Sequence, residues 1–60
     1  MAGGVVRLLR AEEVAEALGI GRTKVFELIR TGELLSVKLG SARRVSTSAL
    51  AAYVAELEGR

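Results

Sequence analysis

The residues of this chain that could do chemistry are mainly basic, and they cluster in its middle. Residues 22–44 hold six basic and two acidic residues, a net charge of +4, whereas the rest holds three basic and five acidic residues, a net charge of −2. The basic residues of the middle segment are Arg22, Lys24, Arg30, Lys38, Arg43 and Arg44. This separation of charge favours a protein that approaches a polyanion with one side. The alternative is that each charge only solvates a surface.

The composition excludes several kinds of site. The chain has no cysteine and no histidine, so it offers no thiolate, disulfide or imidazole base. Glu12 and Glu13 fall in the opening turn of a predicted helix, where the helix dipole favours negative charge, and we interpret them as structural rather than catalytic or metal-binding. No apolar run approaches the roughly 18 residues of a membrane span, and the start is no secretory signal. We expect a cytoplasmic protein that is not an enzyme and needs no cofactor, membrane or small-molecule ligand.

Two amphipathic helices must position part of this basic segment. In the first, predicted at Ala11–Leu18, Val14 and Leu18 lie four residues apart and therefore share one face. The second is predicted from Arg22 to the residue before Gly32. Its apolar stripe consists of Val25, Leu28 and Ile29.

The link between these helices is Gly19-Ile20-Gly21, which leaves room only for an abrupt change of direction. Gly19 can adopt the left-handed backbone that ends the first helix, and the small Ala15 lets the second helix cross closely. The spacing of Ala15, Gly19, Val25 and Leu28 is typical of a helix-turn-helix. The alternative is a helical hairpin that serves only for packing.

A hairpin and a third helix are predicted to follow. The apolar residues Leu35, Val37 and Leu39 alternate with polar ones, which predicts a half-buried strand. Residues 40–42 carry a turn signal, and residues 43–45 a short returning strand. Ser46 or Thr47 then caps the third helix. Its expected core-facing residues are Leu50, Tyr53, Val54 and Leu57.

The sequence thus predicts a single domain over residues 1–60 that is mainly α with a small β-hairpin. Its architecture would be a helix-turn-helix of two helices, followed by a two-stranded hairpin and a C-terminal helix. Residues 5–9 are expected to form an edge strand, and residues 1–4 to be loose and disordered.

This order of elements resembles a known family. The chain is similar to the excisionase-type, MerR-like winged helix-turn-helix domains in the segments EEVAEALGI, RTKVFELIRTGEL, VKLG followed by RRV, and ALAAYVAEL. The resemblance covers about Leu8 to Leu57. The chain departs from the family at Arg10 and Gly21, where helix-capping residues are usual, and at Leu35, where proline is. At Glu27 such proteins can carry a basic residue.

The resemblance implies a winged helix-turn-helix, in which the two-stranded hairpin is the wing. The second helix would enter the DNA major groove, and the wing would reach the backbone or the adjacent minor groove. The residues expected in the major groove are Arg22, Thr23, Lys24, Glu27 and Arg30. The residues expected to act from the wing are Lys38, Ser41, Arg43 and Arg44. The structural alternative for Glu27 is a helix-surface ion pair with Arg30. Phe26 is interpreted as half-buried core.

We expect a DNA-binding accessory factor of the excisionase kind. It would bind repeated sites on double-stranded DNA cooperatively and bend the DNA for a recombinase, with neighbouring copies of itself as further partners. The chain shows no dimerisation coil after Leu57, so we expect a monomer in free solution, within the cytoplasm and associated with the nucleoid. The alternatives are a small transcriptional regulator and, from another class, a winged domain used only for protein contacts. A nuclease is a more distant alternative.

Overall fold

In the computed structural model, residues 7–60 are described. The elements are β1 (Leu8–Leu9), α1 (Ala11–Leu18), α2 (Arg22–Thr31), β2 (Val37–Leu39), β3 (Ala42–Ser46) and α3 (Thr47–Glu58). Three helices and a small antiparallel sheet in this order confirm the predicted winged helix-turn-helix. The expected loose segment at residues 1–4 and the first two residues of the expected edge strand lie outside the described residues.

The turn between α1 and α2 is a hydrogen-bonded helix ending. Gly19 has a φ of 71°, in the left-handed region. Its N–H donates to the carbonyl of Glu16 at 3.3 Å, and the N–H of Ile20 donates to the carbonyl of Ala15 at 3.0 Å. This pair of bonds is the Schellman arrangement, which satisfies carbonyls that the end of a helix would otherwise leave free. The predicted stop at Gly19 is therefore confirmed.

The start of α1 is held by an acidic side chain. Arg10 occupies the cap position, where its side chain cannot accept a hydrogen bond. Instead, the Arg10 backbone N–H donates to Glu13 Oε1 at 2.8 Å, which is one half of a capping box. This hydrogen bond lowers the pKa of Glu13; desolvation opposes it, and the charges of Arg10, Arg7 and Arg44 lower the pKa further. The weak cap predicted at Arg10 is thus offset by Glu13.

The core is built mainly where α1, α2 and the sheet meet. Its buried residues are Leu9, Ala11, Val14, Ala15, Val25, Leu28, Leu34 and Val45. Leu18 and Ile29 are partly buried and pack against this cluster. The predicted apolar faces of both helices are therefore confirmed. The exposed face of α2 is the side of the helix opposite Val25 and Leu28.

The sheet has the order β1-β3-β2, with both pairs antiparallel. Leu9 of β1 lies opposite Val45 of β3, so the two side chains share one face of the sheet. Both are buried, and this face therefore packs against the core. Lys38 lies opposite Arg43 further along the hairpin. Gly40 has a φ of 64°, as a tight hairpin turn requires at its first loop residue. β1 is an edge strand, as predicted.

The predicted half-burial of the first wing strand is wrong. The exposed fractions of Leu35, Val37 and Leu39 are 70%, 46% and 57%, whereas Leu34 is only 1% exposed. The alternation is present, but the register places Val37 and Leu39 on the face of Ala42 and Arg44, opposite the buried Val45. The apolar residues of the hairpin therefore face away from the core, and no element in residues 7–60 buries them. Leu34, directly after α2, takes the core position instead.

The helix α3 reaches the core only as far as Tyr53. Ser46 caps the helix, since its Oγ accepts from the N–H of Ala49 at 2.9 Å. Leu50 and Tyr53 are partly buried against the core, as predicted, but Val54 lies outside the core cluster and Leu57 is 41% exposed. The predicted four-residue stripe is therefore half wrong, because α3 packs on β3 and the helix beyond Tyr53 runs past the core. Within residues 7–60, no helix has the length and apolarity to cross a membrane.

The neighbouring leucines after α2 test this packing. Leu34→Ala should lower the free energy of unfolding by about 2–5 kcal/mol, because a buried leucine leaves a cavity. Leu35→Ala should change it by less than about 0.5 kcal/mol, because that side chain is largely exposed. Urea denaturation of both variants measures the difference. Equal destabilisation of the two would show that the segment after α2 is wrongly placed.

The hydrogen bond at the start of α1 predicts a pH effect. Because the pKa of folded Glu13 lies below its unfolded value, the carboxylate stabilises the fold at neutral pH, and this contribution is lost as the pH falls through the folded pKa. Glu13→Gln retains an oxygen acceptor but cannot titrate. The variant should therefore lose less stability than the wild type between about pH 5 and pH 3.

Glu12→Gln is the matched control for this experiment, because Glu12 is an exposed neighbour on the same helix turn. It should keep the wild-type pH dependence, measured by urea unfolding at each pH. A Glu13→Gln curve that parallels the wild type would mean that Glu13 does not support the helix start.

Candidate nucleic-acid interface

The exposed face of α2 carries all the residues predicted for the major groove. These residues, each exposed, are Arg22, Thr23, Lys24, Glu27 and Arg30. Val25 and Leu28 are buried on the opposite side. With about 100° between successive residues, Thr23 and Arg30 point most directly away from the core. The fold therefore presents a polar, mainly basic helix surface that packs against nothing in the described part of the chain.

Glu27 pairs with Lys24 and not, as the structural alternative held, with Arg30. Lys24 Nζ lies 3.1 Å from Glu27 Oε1, across an i,i+3 spacing on the helix surface. The Lys24 side chain is 59% exposed and that of Glu27 is 50% exposed, so solvent screens the pair and its contribution to stability is small. The pairing offsets the charge of Lys24, and no described carboxylate pairs with Arg22 or Arg30.

Phe26 is not part of the core, contrary to the sequence interpretation. Its side chain is 44% exposed, and the guanidinium carbon of Arg22 lies 5.7 Å from the centre of its ring. This distance is that of a cation–π contact. The reason is angular: Phe26 is four residues after Arg22 and four before Arg30, so it shares their side of the helix. The neighbouring Val25 is buried, but successive residues of a helix point about 100° apart, so its burial does not imply that Phe26 is buried.

The first turn of α2 has backbone N–H groups that suit an anion. The helix is capped by Gly21, which has no side chain to accept a hydrogen bond. The first bond of the helix ladder runs from the N–H of Val25 to the carbonyl of Gly21, at 3.2 Å. The N–H groups before it point out of the helix end, with Arg22 beside them. Such an end binds phosphate through its N–H groups and its dipole.

The wing places its predicted residues on two faces. Lys38 and Arg43 lie opposite each other in the register, so their side chains share one face. Arg44 lies opposite Val37 and therefore occupies the other face. Ser41 is exposed at the turn. The structure thus brings two of the three wing cations together and separates the third.

The two wing arginines also differ in their contacts. Arg43 Nη1 donates to Ser36 Oγ at 3.2 Å, which holds its exposed side chain along the hairpin. Arg44 is partly buried, and its Nη1 donates to the backbone carbonyl of Arg43 at 3.1 Å. Its charge also reaches the start of α1, where it is one of the influences that lower the pKa of Glu13 after the Arg10 hydrogen bond. Arg43 is therefore the freer of the two to contact a ligand.

A helix-turn-helix domain model matches residues 8–58 of the chain. The chain is 46% identical, over 50 residues, to a probable excisionase from Saccharopolyspora erythraea, covering 83% of this chain and 51% of that protein. It is 44% identical, over 52 residues, to an excisionase from Streptomyces ambofaciens, covering 87% of this chain and 84% of that protein. The chain belongs to the excisionase-type family of helix-turn-helix DNA-binding proteins.

The extent of these similarities differs between the two relatives. This excisionase-type chain spans about half the length of the Saccharopolyspora protein but most of the Streptomyces one. No solved structure matches the chain. The matched residues include both helices of the turn, the whole wing and all of α3, so the basic surfaces described above lie inside the family's shared region.

The difference between the wing arginines predicts different salt dependence. Arg43→Ala should weaken binding to any duplex and reduce the slope of log K against log salt by about one phosphate contact. Arg44→Ala should reduce the slope less, because Arg44 is partly buried and lies on the face opposite Lys38 and Arg43. Binding titrations by fluorescence anisotropy at several salt concentrations measure both slopes.

Arg60→Ala is the control, because it removes the same charge beside Glu56, 3.9 Å away, and lies outside the wing. Its slope should equal that of the wild type. If Arg43→Ala behaves like Arg60→Ala, Arg43 does not contact the phosphate backbone.

Proposed function

We propose that this protein is a DNA-binding accessory factor that binds repeated sites cooperatively and bends the DNA, so that a recombinase carries out excision. The observation that carries the proposal is the exposed polar face of α2, whose first turn has no side-chain cap, in a chain whose relatives are named excisionases. The protein itself carries out no chemistry on the DNA in this proposal. It acts in the cytoplasm, in association with the nucleoid.

In this proposal α2 lies in the major groove. Arg22 and the N–H groups of the first turn contact phosphate, together with Lys24. Arg30, near the centre of the exposed face, pairs with the two acceptors of a guanine, and Thr23 bonds to either kind of base edge. Glu27 accepts from the amino group of a cytosine when Lys24 turns to the backbone. Breaking the Lys24–Glu27 ion pair for this purpose costs little free energy, because both side chains are exposed to solvent.

The wing contributes affinity rather than sequence preference. Lys38 and Arg43 share one face of the hairpin and approach one stretch of backbone or the adjacent minor groove together. Ser41, at the exposed turn, donates to a phosphate oxygen. Arg44 contributes from the opposite face. Because each neutralised phosphate releases counterions, these contacts strengthen binding to every sequence alike.

Cooperativity is proposed to come from the apolar residues that the wing leaves exposed. Leu35, Val37 and Leu39 form a row beside a groove between the wing and the start of α3, whose lining includes Ser48 and Ala49. A neighbouring copy bound one site along the DNA would cover this row. Contacts between unlike surfaces do not close into a dimer and can extend along repeated sites. The favourable free energy of these contacts between neighbours offsets the elastic cost of bending the DNA.

Footprinting on the DNA around the gene locates the sites, and gel shifts on one, two and three of them then test the proposal. We expect affinity per site to rise with the number of direct repeats and the complexes to run as bent DNA. Leu35→Ser should leave binding to a single site unchanged and reduce the increase in affinity from added repeats, because Leu35 is the most exposed residue of the row. A single unbent footprint on an inverted repeat would favour a transcriptional regulator, and no binding to any DNA would favour a protein-binding role.

A further inference from the structure

Phe26 is an exposed aromatic residue on a helix face that is otherwise polar. It belongs neither to the buried core nor to the partly buried residues that pack against it. A single exposed apolar side chain is ordinary on a protein surface. The position of Phe26 is what matters: it follows Thr23 by three residues and precedes Arg30 by four, so it lies beside the two residues that point most directly away from the core. A ligand that covers Thr23 and Arg30 must also cover Phe26.

The contact with Arg22 restrains the ring. The guanidinium group, 5.7 Å from the ring centre, lies on the N-terminal side of Phe26, four residues back along the helix. An aromatic side chain has only two rotatable bonds, and a cation–π contact restricts both partners. The contact therefore favours one orientation of the exposed ring, with Arg22 beside it.

We infer that Phe26 reads the 5-methyl group of a thymine next to the position that Arg22 contacts. The inference rests on the proposed placement of α2 in the major groove. A phenyl ring offers no hydrogen bond, so it cannot read the donors and acceptors of the base edges. The thymine methyl is the apolar group that unmodified DNA displays in this groove, and an apolar side chain discriminates it from the other bases. The ring shields this methyl group from water, whereas a cytosine at the same position presents a polar edge that the ring leaves without a partner.

The test removes the methyl group and nothing else. The preferred duplex is first selected from random sequences with the wild-type protein, and each thymine of it is then replaced singly by deoxyuridine, which pairs identically. One replacement should weaken wild-type binding about four-fold, the factor expected for exposing one buried methyl group. Phe26→Ala should bind the original duplex more weakly than the wild type does. The variant should bind the original and the deoxyuridine duplexes equally well, because its contact with the methyl group is already absent.

Leu57→Ala is the control, because Leu57 is exposed to a similar degree, 41% against 44% for Phe26, but lies at the far end of α3. It should retain the full deoxyuridine effect. Phe26→Leu keeps an apolar side chain and should retain part of it, and circular dichroism of each variant establishes that the fold is intact.

Three results would overturn the inference. If every deoxyuridine duplex binds the wild type as tightly as the thymine duplex, no methyl group is read. If the deoxyuridine effect persists in Phe26→Ala, another residue reads it. In both of these cases the selected duplex still binds, so the proposed function stands. If the wild type selects and binds no DNA at all, the proposed function fails and the inference fails with it.

Discussion

The close crossing of α1 and α2 is the constraint on which the rest of the structure depends. Only residues 19–21 separate the two helices, so the chain must reverse at Gly19. Its positive φ, in a backbone region that L side chains rarely adopt, makes that reversal possible. Val14 and Val25 are then completely buried, and Ala15 is small enough to be enclosed between the helices. The same rotation of α2 that buries Val25 and Leu28 sends Thr23 and Arg30 outward.

A chain of this size cannot cover all of its apolar surface, and the uncovered part has a pattern. A domain of about 60 residues buries only about 60% of its unfolded surface. The core takes one side of each of α1 and α2 and the base of the sheet, together with Leu34. The apolar residues of the wing, Leu57 near the end of α3, Phe26 and Leu8 are left outside it. These are the parts of the described chain with surface to offer a partner.

Acidic and basic residues also lie on different elements. The first turn of α1 and the last turns of α3 are acidic, and within α1 Glu13 is committed to the helix start. The basic residues of α2 and the wing are exposed, apart from the partly buried Arg44. Lys24 has a carboxylate partner on its own helix, whereas Arg22 stacks on an aromatic ring. Cations with such different local partners differ in how readily they turn toward a phosphate.

Local signals in the sequence determined the elements of this protein. The bounds of α1, the stop at Gly19, the turn at Gly40 and the cap at Ser46 all depend on interactions within a few residues, and all were predictable. Only the tertiary structure decided which side chains are covered. Periodicity shows that Leu35, Val37 and Leu39 share a face, but not that this face is turned away from the core; nor does it choose between Leu34 and Leu35. The direction of Phe26, and which of Arg43 and Arg44 shares the sheet face of the buried Val45, likewise depend on helix rotation and strand register. These are set by contacts between distant parts of the chain, which no short window of sequence contains.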